Sequence, residues 1–251
     1  KVSSQYQIYD PATARLLANG RIQRDPFVGN IIPSSRISNF TKALTKYWPA
    51  PRTAGNADGS SNYPDPTQPD PNHYYSHSAR LDHNFTDSNR LYGRIAVSKN
   101  VEQNYRDTYR NEASGNNLLR YNRGVMLDDV HTFSAHLVLD LRYGYTRFRE
   151  DHQPKSAGFN PTAVGFSQAL ASQIDPQGYV FPCFSFNAFS KLGCVNPDKS
   201  ATDIHDLTAS VDSMHGAHNL KFGGNFRVYR RNRYTFGQAT PGLQFGSTYT
   251  S

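Results

Sequence analysis

The chain has 251 residues, a formal net charge of +7 and a mean hydropathy of −0.69, which is low for a protein with a large packed core. Its 16 Tyr and 15 Phe exclude disorder of the whole chain, because disordered chains are poor in aromatic residues. No stretch approaches the roughly 18 apolar residues of a membrane-spanning helix. A polar chain rich in aromatic residues is typical of an outer-membrane β-barrel wall, apolar outside and polar inside.

The positive charge raises the question of a nucleic-acid partner. Basic residues are spread along the chain in ones and twos, however, and the only dense run is Arg227–Arg233. The chain has no zinc-finger spacing, no heptad repeat and no RNA-binding aromatic motif. We therefore predict that nucleic acid is not a partner.

Residues 1–73 hold nine of the fifteen prolines. Each proline removes a donor from a strand ladder, so this segment is predicted to be a long loop region of the extracellular type. It also contains four apolar residues at the spacing of one helical face: Ile37, Phe40, Leu44 and Tyr47. These predict one short helix, with Ser35 as its N-cap.

Residues 74–251 show the period-two alternation of strands and are predicted to form one β-barrel domain. The predicted strands are 74–83, 89–99, 121–133, 137–149, 202–214 and 219–231. The thirteen residues 137–149 would extend over roughly 40 Å. Tilted by about 40°, such a strand crosses an apolar band of about 25 Å. The fold class is therefore all-β: an incomplete antiparallel transmembrane barrel of six or seven long strands.

The two faces of strand 137–149 differ in polarity. One face carries Leu137, Leu139, Leu141, Tyr143 and Tyr145, and we expect it to meet lipid. The other face carries Asp140, Arg142 and Thr146, and we expect it to line the lumen. A hairpin centred on Ala135 would set Asp129 opposite Leu141 on the lipid face, so a β-bulge is predicted near Asp128 and Asp129.

The links between strands alternate in length. Short links at 84–88, 134–136 and around Gly216-Ala217 alternate with long links at 100–120 and 150–201. Bacterial outer-membrane barrels have this arrangement, with short periplasmic turns and longer extracellular loops. Loops beyond about 15 residues are uncommon in compact soluble domains, which makes a small soluble sandwich the weaker interpretation.

The last hairpin has a predicted register. A two-residue type II′ turn at Gly216-Ala217 pairs His215 with His218, because glycine tolerates the positive φ at the first turn position. This register sets Asp212 opposite Lys221 and Asp206 opposite Arg227 on one face. The predicted lumen-facing wall therefore consists of six residues: Asp140, Arg142, Asp206, Asp212, Lys221 and Arg227.

No catalytic, cofactor or metal site is predicted. The nine histidines form no metal-ligand motif, and the chain has no nucleophile elbow, P-loop or dinucleotide-binding glycine pattern. Cys183 and Cys194 are predicted to close a disulfide in the extracellular loop 150–201, with two free thiols as the alternative. Six loop aromatic residues could stack on a sugar or peptide: Tyr47, Trp48, Tyr105, Tyr109, Tyr179 and Phe184.

Several short stretches, in this order and spacing, resemble the Oar-like TonB-dependent receptors. They are 8–13 (IYDPAT), 24–37 (RDPFVGNIIPSSRI), 80–85 (RLDHNF), 90–94 (RLYGR), 131–134 (HTFS), 158–162 (GFNPT) and 218–224 (HNLKFGG). The resemblance covers nearly the whole chain. It implies a barrel of about 22 strands around a plug, which imports a bulky nutrient using energy passed from TonB.

The chain opens at Lys1 with no signal sequence, so we expect it to be a fragment whose signal peptide lies outside it. The resemblance further implies that the plug, the TonB-contacting segment and the closing strand also lie outside this chain. Its partners would be outer-membrane lipid, the TonB complex through the plug region and a nutrient of undetermined class, and its location the outer membrane of a Gram-negative bacterium. A passive porin or adhesin-like barrel, and a soluble basic β-protein that binds polysaccharide or nucleic acid, are the alternatives.

Overall fold

A computed structural model of the chain describes residues 7–56, 59–64, 69–187 and 189–246. Its strands are β1 (Arg15–Leu16), β2 (Ile22–Gln23), β3 (Asn72–Thr86), β4 (Asn89–Tyr105), β5 (Asn116–Ser134), β6 (Leu137–Pro154), β7 (Cys183–Phe186), β8 (Asp198–His215), β9 (His218–Thr235) and β10 (Gly242–Phe245). Its α-helices are α1 (Asn39–Thr45) and α2 (Gln168–Ala171). In the ranges given above, none of the helices has the length and hydropathy of a transmembrane span.

Six long strands form one antiparallel sheet in the order β3-β4-β5-β6-β8-β9. All six predicted strands are confirmed, and each is longer than predicted. The extra residues lie mostly at the ends away from the tight turns, where the regular alternation of apolar and polar residues is lost from the sequence. In the described part of the chain β3 and β9 remain the edges, so the barrel is not closed.

The tight turns all lie at one end of this sheet, and the long links lie at the other. The turns are Asp87-Ser88, Ala135-His136 and Gly216-Ala217. Gly216 has a φ of +58°, as a type II′ turn requires at its first position. The predicted register of the last hairpin is confirmed from His215↔His218 to Asp206↔Arg227.

The predicted bulge near Asp128 and Asp129 is wrong in position. Asp129 does lie opposite Leu141, but the register shift falls between Thr132 and Ser134, beside the turn. Neither Ala135 nor His136 has the positive φ of a primed turn. Unprimed two-residue turns fit the strand twist poorly, and the bulge next to the turn absorbs that mismatch.

The sheet has one apolar and one polar face. Directly paired residues place one apolar row across all six strands: Leu81, Gly93, Leu127, Tyr143, Leu207 and Phe226. Leu81 and Phe226 are 76% and 68% exposed, so no described part of the chain covers this face. On the other face the row one residue away is Asp82, Tyr92, Asp128, Arg142, Thr208 and Asn225.

The hydrophobic core lies in the loops beyond the sheet. Its buried members come from α1, from the turn after it and from two loops: Leu44, Tyr47, Tyr109, Ala113, Val164, Phe181, Phe184 and Leu192. β7 pairs in parallel with β10, which adds the segment after β9 to the same cluster. Residues 39–48, the two long loops 106–115 and 155–197, and β10 thus fold together into one unit, which we call the loop cap.

The predicted short helix is confirmed as α1, but its predicted N-cap is wrong. Ser38 caps the helix, and its Oγ accepts a hydrogen bond from the Thr41 amide at 3.1 Å. Ser35 lies in a separate 3-10 turn, Ser34–Arg36. Ile37 is extended and separates that turn from the helix.

Candidate functional site

The six residues predicted to form the lumen wall all lie on the polar face. Asp212 is opposite Lys221, with 3.0 Å between Oδ2 and Nζ, and Asp206 is opposite Arg227 in an ion pair. Arg142 contacts two carboxylates, Asp128 and the more distant Asp140 at 3.8 Å. Each charge on this part of the wall therefore has an opposite charge beside it, which fixes the side chains in place.

Asp128 is the centre of the wall, although its sequence position suggested only a bulge. Its side chain is 1% exposed and is bonded to Arg142 on β6, directly across the strand pair. Tyr92 lies opposite Asp128 on its other side, and the Arg80 guanidinium stands 3.9 Å from the Tyr92 ring centroid. A buried carboxylate requires such pairing, because an uncompensated buried charge is strongly destabilising.

The network continues over β3 and β4, at the level of Asp128. Asp82 accepts hydrogen bonds at 2.7 Å from both Arg80 and Arg90. Nearer the loop cap, Arg120 bridges Glu102 and Glu150, and Arg233 binds Asp198. Ion pairs thus lie at several levels of the wall, from the turn end to the loop-cap end. The wall carboxylates are paired with guanidinium or ammonium groups, an arrangement that suits a solvated passage.

The segments of the loop cap are linked to one another by a disulfide and by backbone hydrogen bonds. A disulfide links Cys183 to Cys194. The Phe184 amide donates to the Leu192 carbonyl at 2.8 Å, and the Gly193 amide donates to the Ala113 carbonyl at 2.8 Å. Because Ala113 lies in the loop between β4 and β5, this contact connects the two long loops.

Three of the aromatic residues proposed for stacking on a ligand are instead part of the core of the loop cap. Phe184 is fully buried, while Tyr47 and Tyr109 are 7% and 9% exposed. Burial, with a smaller contribution from Glu112, raises the pKa of Tyr47 to about 12. Such residues position the loops and cannot stack on a ligand. Sequence spacing could not reveal this, since their contacts join segments far apart in the chain.

The other three aromatic candidates occupy different places. Tyr105 lies at the end of β4 near His152, and the Tyr179 hydroxyl donates to the Ala171 carbonyl at 2.9 Å. Trp48 is half-buried and lines an apolar cleft of about 210 Å³ with Phe186 and Phe189. Phe189 is 74% exposed, so this cleft is an accessible aromatic surface of the cap.

Histidines form no metal centre in the described ranges, where no group of three or more His, Cys, Asp or Glu side chains converges. His77 and His83 lie on the apolar face, while His215 and His218 pair beside the last turn. His83 packs edge-on against Phe85 at 4.6 Å between centroids, and His131 lies 4.4 Å from Phe133. These pairs border the apolar face at its turn end, where amphipathic rings are common in membrane barrels.

Comparison with known proteins agrees with this architecture. The family model described as the outer membrane beta barrel domain matches residues 1–251. No curated protein and no solved structure matches the chain. A family match over the whole chain removes the soluble β-protein from the alternatives. The chain belongs to the outer membrane beta barrel domain family and is located in the outer membrane.

Proposed function

We propose that this chain forms part of the barrel wall and extracellular loops of a TonB-dependent receptor, which binds and imports a bulky nutrient. The observation that carries the proposal is the loop cap, a folded unit with its own apolar core and disulfide. It adjoins the end of a polar wall whose charges are paired. A rigid cap can present a fixed binding surface, because preorganised loops lose little entropy on binding.

A polar wall of six strands is too narrow to enclose a passage. Aqueous channels need about 16–18 strands, and plugged transporters have about 22. Further strands would therefore complete the barrel, with the apolar face towards lipid and the polar face towards the lumen. The Oar-like resemblance supports a plug in that lumen and energy supply through TonB.

The proposed function includes neither enzymatic activity nor nucleic-acid binding. The wall carboxylates are paired with arginine or lysine side chains, so we assign the chain no enzymatic role. Its polar face is internal and charge-balanced, which argues against nucleic acid as a partner. A passive porin or adhesin-like barrel is the competing function within the same family.

Planar-bilayer conductance separates the two functions. We expect the purified protein to show no stable open-channel steps in KCl, because a plug fills the lumen. We also expect the periplasmic domain of TonB to crosslink to the protein in outer-membrane vesicles. Stable conductance steps without a TonB crosslink would identify a passive pore and contradict the proposal.

A further inference from the structure

A row of charged residues crosses the apolar face of the sheet on its loop-cap side. The register aligns Arg123, Arg147, Asp203 and Arg230 on four neighbouring strands. The next row towards the tight turns holds Val125, Tyr145, His205 and Val228. Basic side chains therefore begin on the same face where the apolar band and its tyrosines end.

Tyrosines mark this border. The Tyr143 hydroxyl lies 2.8 Å from His205 Nδ1, and the Tyr145 hydroxyl donates to Asp203 at 2.6 Å. Tyrosine rings in such positions form the aromatic belt at a membrane–water interface. Because the long loops mark the extracellular end, the charged row stands at the headgroups of the outer leaflet.

The basic residues outnumber the acidic ones around this row. This part of the face carries two carboxylates, Asp151 and Asp203, and five basic residues: Lys99, Arg123, Arg147, Arg149 and Arg230. Asp203 forms an ion pair with Arg147, with 3.1 Å between Oδ1 and Nη1, and Asp151 forms one with Arg149, with 2.5 Å between Oδ2 and Nη2. Neither Arg123 nor Arg230 has an ion pair or hydrogen bond to another described side chain.

Arg123 and Arg147 lie directly opposite each other. Like charges in directly opposed positions destabilise a strand pair unless an anion lies between them. Arg123, Arg147, Arg149 and Tyr121 also line one cleft of about 320 Å³. The guanidinium donors there match phosphate oxygens, which arginine binds in pairs.

We propose that this cleft binds a phosphate group of the outer-leaflet glycolipid, with Arg123 as its unpaired cation. Arg230 lines the neighbouring cleft beside Asp203 and is the second unpaired cation for the same lipid. The acyl chains of that lipid would lie along the apolar rows below, past Tyr145 and Val125. A lipid-borne phosphate fits better than a free one, because the cleft adjoins a face that meets acyl chains.

The test is native mass spectrometry of the detergent-purified protein titrated with bis-phosphorylated lipid A. Arg123→Gln/Arg230→Gln removes the two cations without disturbing either ion pair. The matched control, Arg94→Gln/Arg231→Gln, makes the same charge change on the polar face; Arg231 is the chain neighbour of Arg230. Equal far-UV circular dichroism would show that both variants are folded.

We expect the first variant to bind lipid A about 25-fold more weakly, at roughly fivefold per arginine near an anionic membrane surface. The control should bind like the parent protein, and dephosphorylated lipid A should bind both variants equally weakly. Equal affinity of the two variants for phosphorylated lipid A would overturn the proposal. Displacement of lipid A by millimolar inorganic phosphate would also overturn the lipid assignment, and would leave a free-anion site.

Discussion

Asp206 on β8 and Arg227 on β9 lie directly opposite each other on the polar face, and the Asp206 carboxylate accepts a hydrogen bond from Arg227 Nε. The turn at Gly216-Ala217 sets this pairing, and Asp212 meets Lys221 in the same register. A slip by one residue would place the basic side chains on the lipid face. The ion pairs therefore act mainly to specify register.

Reversing charges at this pair tests the register. Asp206→Arg alone sets two cations opposite each other and should lower the free energy of unfolding. The double variant Asp206→Arg/Arg227→Asp should recover part of that loss. Recovery should be incomplete, because Asp206 also accepts bonds from Asn225 and Thr208. Urea titration in lipid measures the free energy of unfolding of the single and the double variant. A double variant less stable than Asp206→Arg would contradict the pairing.

The sheet could be predicted because each strand repeats one simple physical pattern. Leu139 to Tyr145 alternate with Asp140, Arg142 and Gly144, and a two-residue turn then fixes the partner of every residue. The bulge before Ala135 could not be predicted, since it depends on turn dihedral angles. The loop cap could not be predicted either, because Tyr47, Tyr109 and Phe184 come into contact only once the strands of the whole sheet are aligned. For the same reason, the sequence did not predict the central position of Asp128 in the ion-pair network.

Removing the disulfide should loosen the loop cap and leave the sheet unchanged. Cys183 and Cys194 are eleven residues apart, and closing such a loop contributes about 2–4 kcal/mol in typical cases. In Cys183→Ser/Cys194→Ser, the amides of Phe184, Leu192 and Gly193 should exchange hydrogen faster. Strands β6 and β8 should keep their protection. Reductant should likewise speed amide exchange in the loop cap of the parent protein, and should have no effect on the variant. Unchanged amide exchange in the loop cap of the variant would contradict a stabilising role of the disulfide.

Gly193 is required by the close approach of two loop segments. A Cβ at this position would lie 1.9 Å from the Pro182 carbonyl oxygen, and its φ is +72°. Gly158 also has a positive φ, +87°, but a Cβ there meets nothing within 4 Å. Gly193→Ala should therefore raise hydrogen exchange across the loop cap much more than Gly158→Ala. Equal effects would mean that φ strain alone matters.

Tyr47 should make the loop cap sensitive to alkaline pH. Burial raises its pKa from 10.0 to about 12, so the folded state favours the neutral phenol. This contribution to stability is complete below pH 10.0 and is lost as the pH rises through about 12. Trp48, the single tryptophan, packs 5.4 Å from Phe186 and reports on the cap.

The emission of Trp48 should shift to longer wavelength across that pH range in the parent protein. Tyr47→Phe removes the ionisable group, so its shift should begin at higher pH. Circular dichroism of the sheet in the same samples serves as the internal control. Identical profiles for the parent protein and the variant would show that Tyr47 ionisation has no part in the transition.

The orientation of the sheet in the membrane is tested most directly by the accessibility of single nitroxide labels in lipid bilayers. Leu141→Cys places a label on the apolar face, and Val130→Cys places one on the polar face of the neighbouring strand. Oxygen concentrates in the acyl chains, whereas a nickel chelate stays in water. The label at 141 should collide mainly with oxygen and the label at 130 mainly with the chelate. Equal chelate accessibility at both positions would contradict a lipid-facing apolar wall.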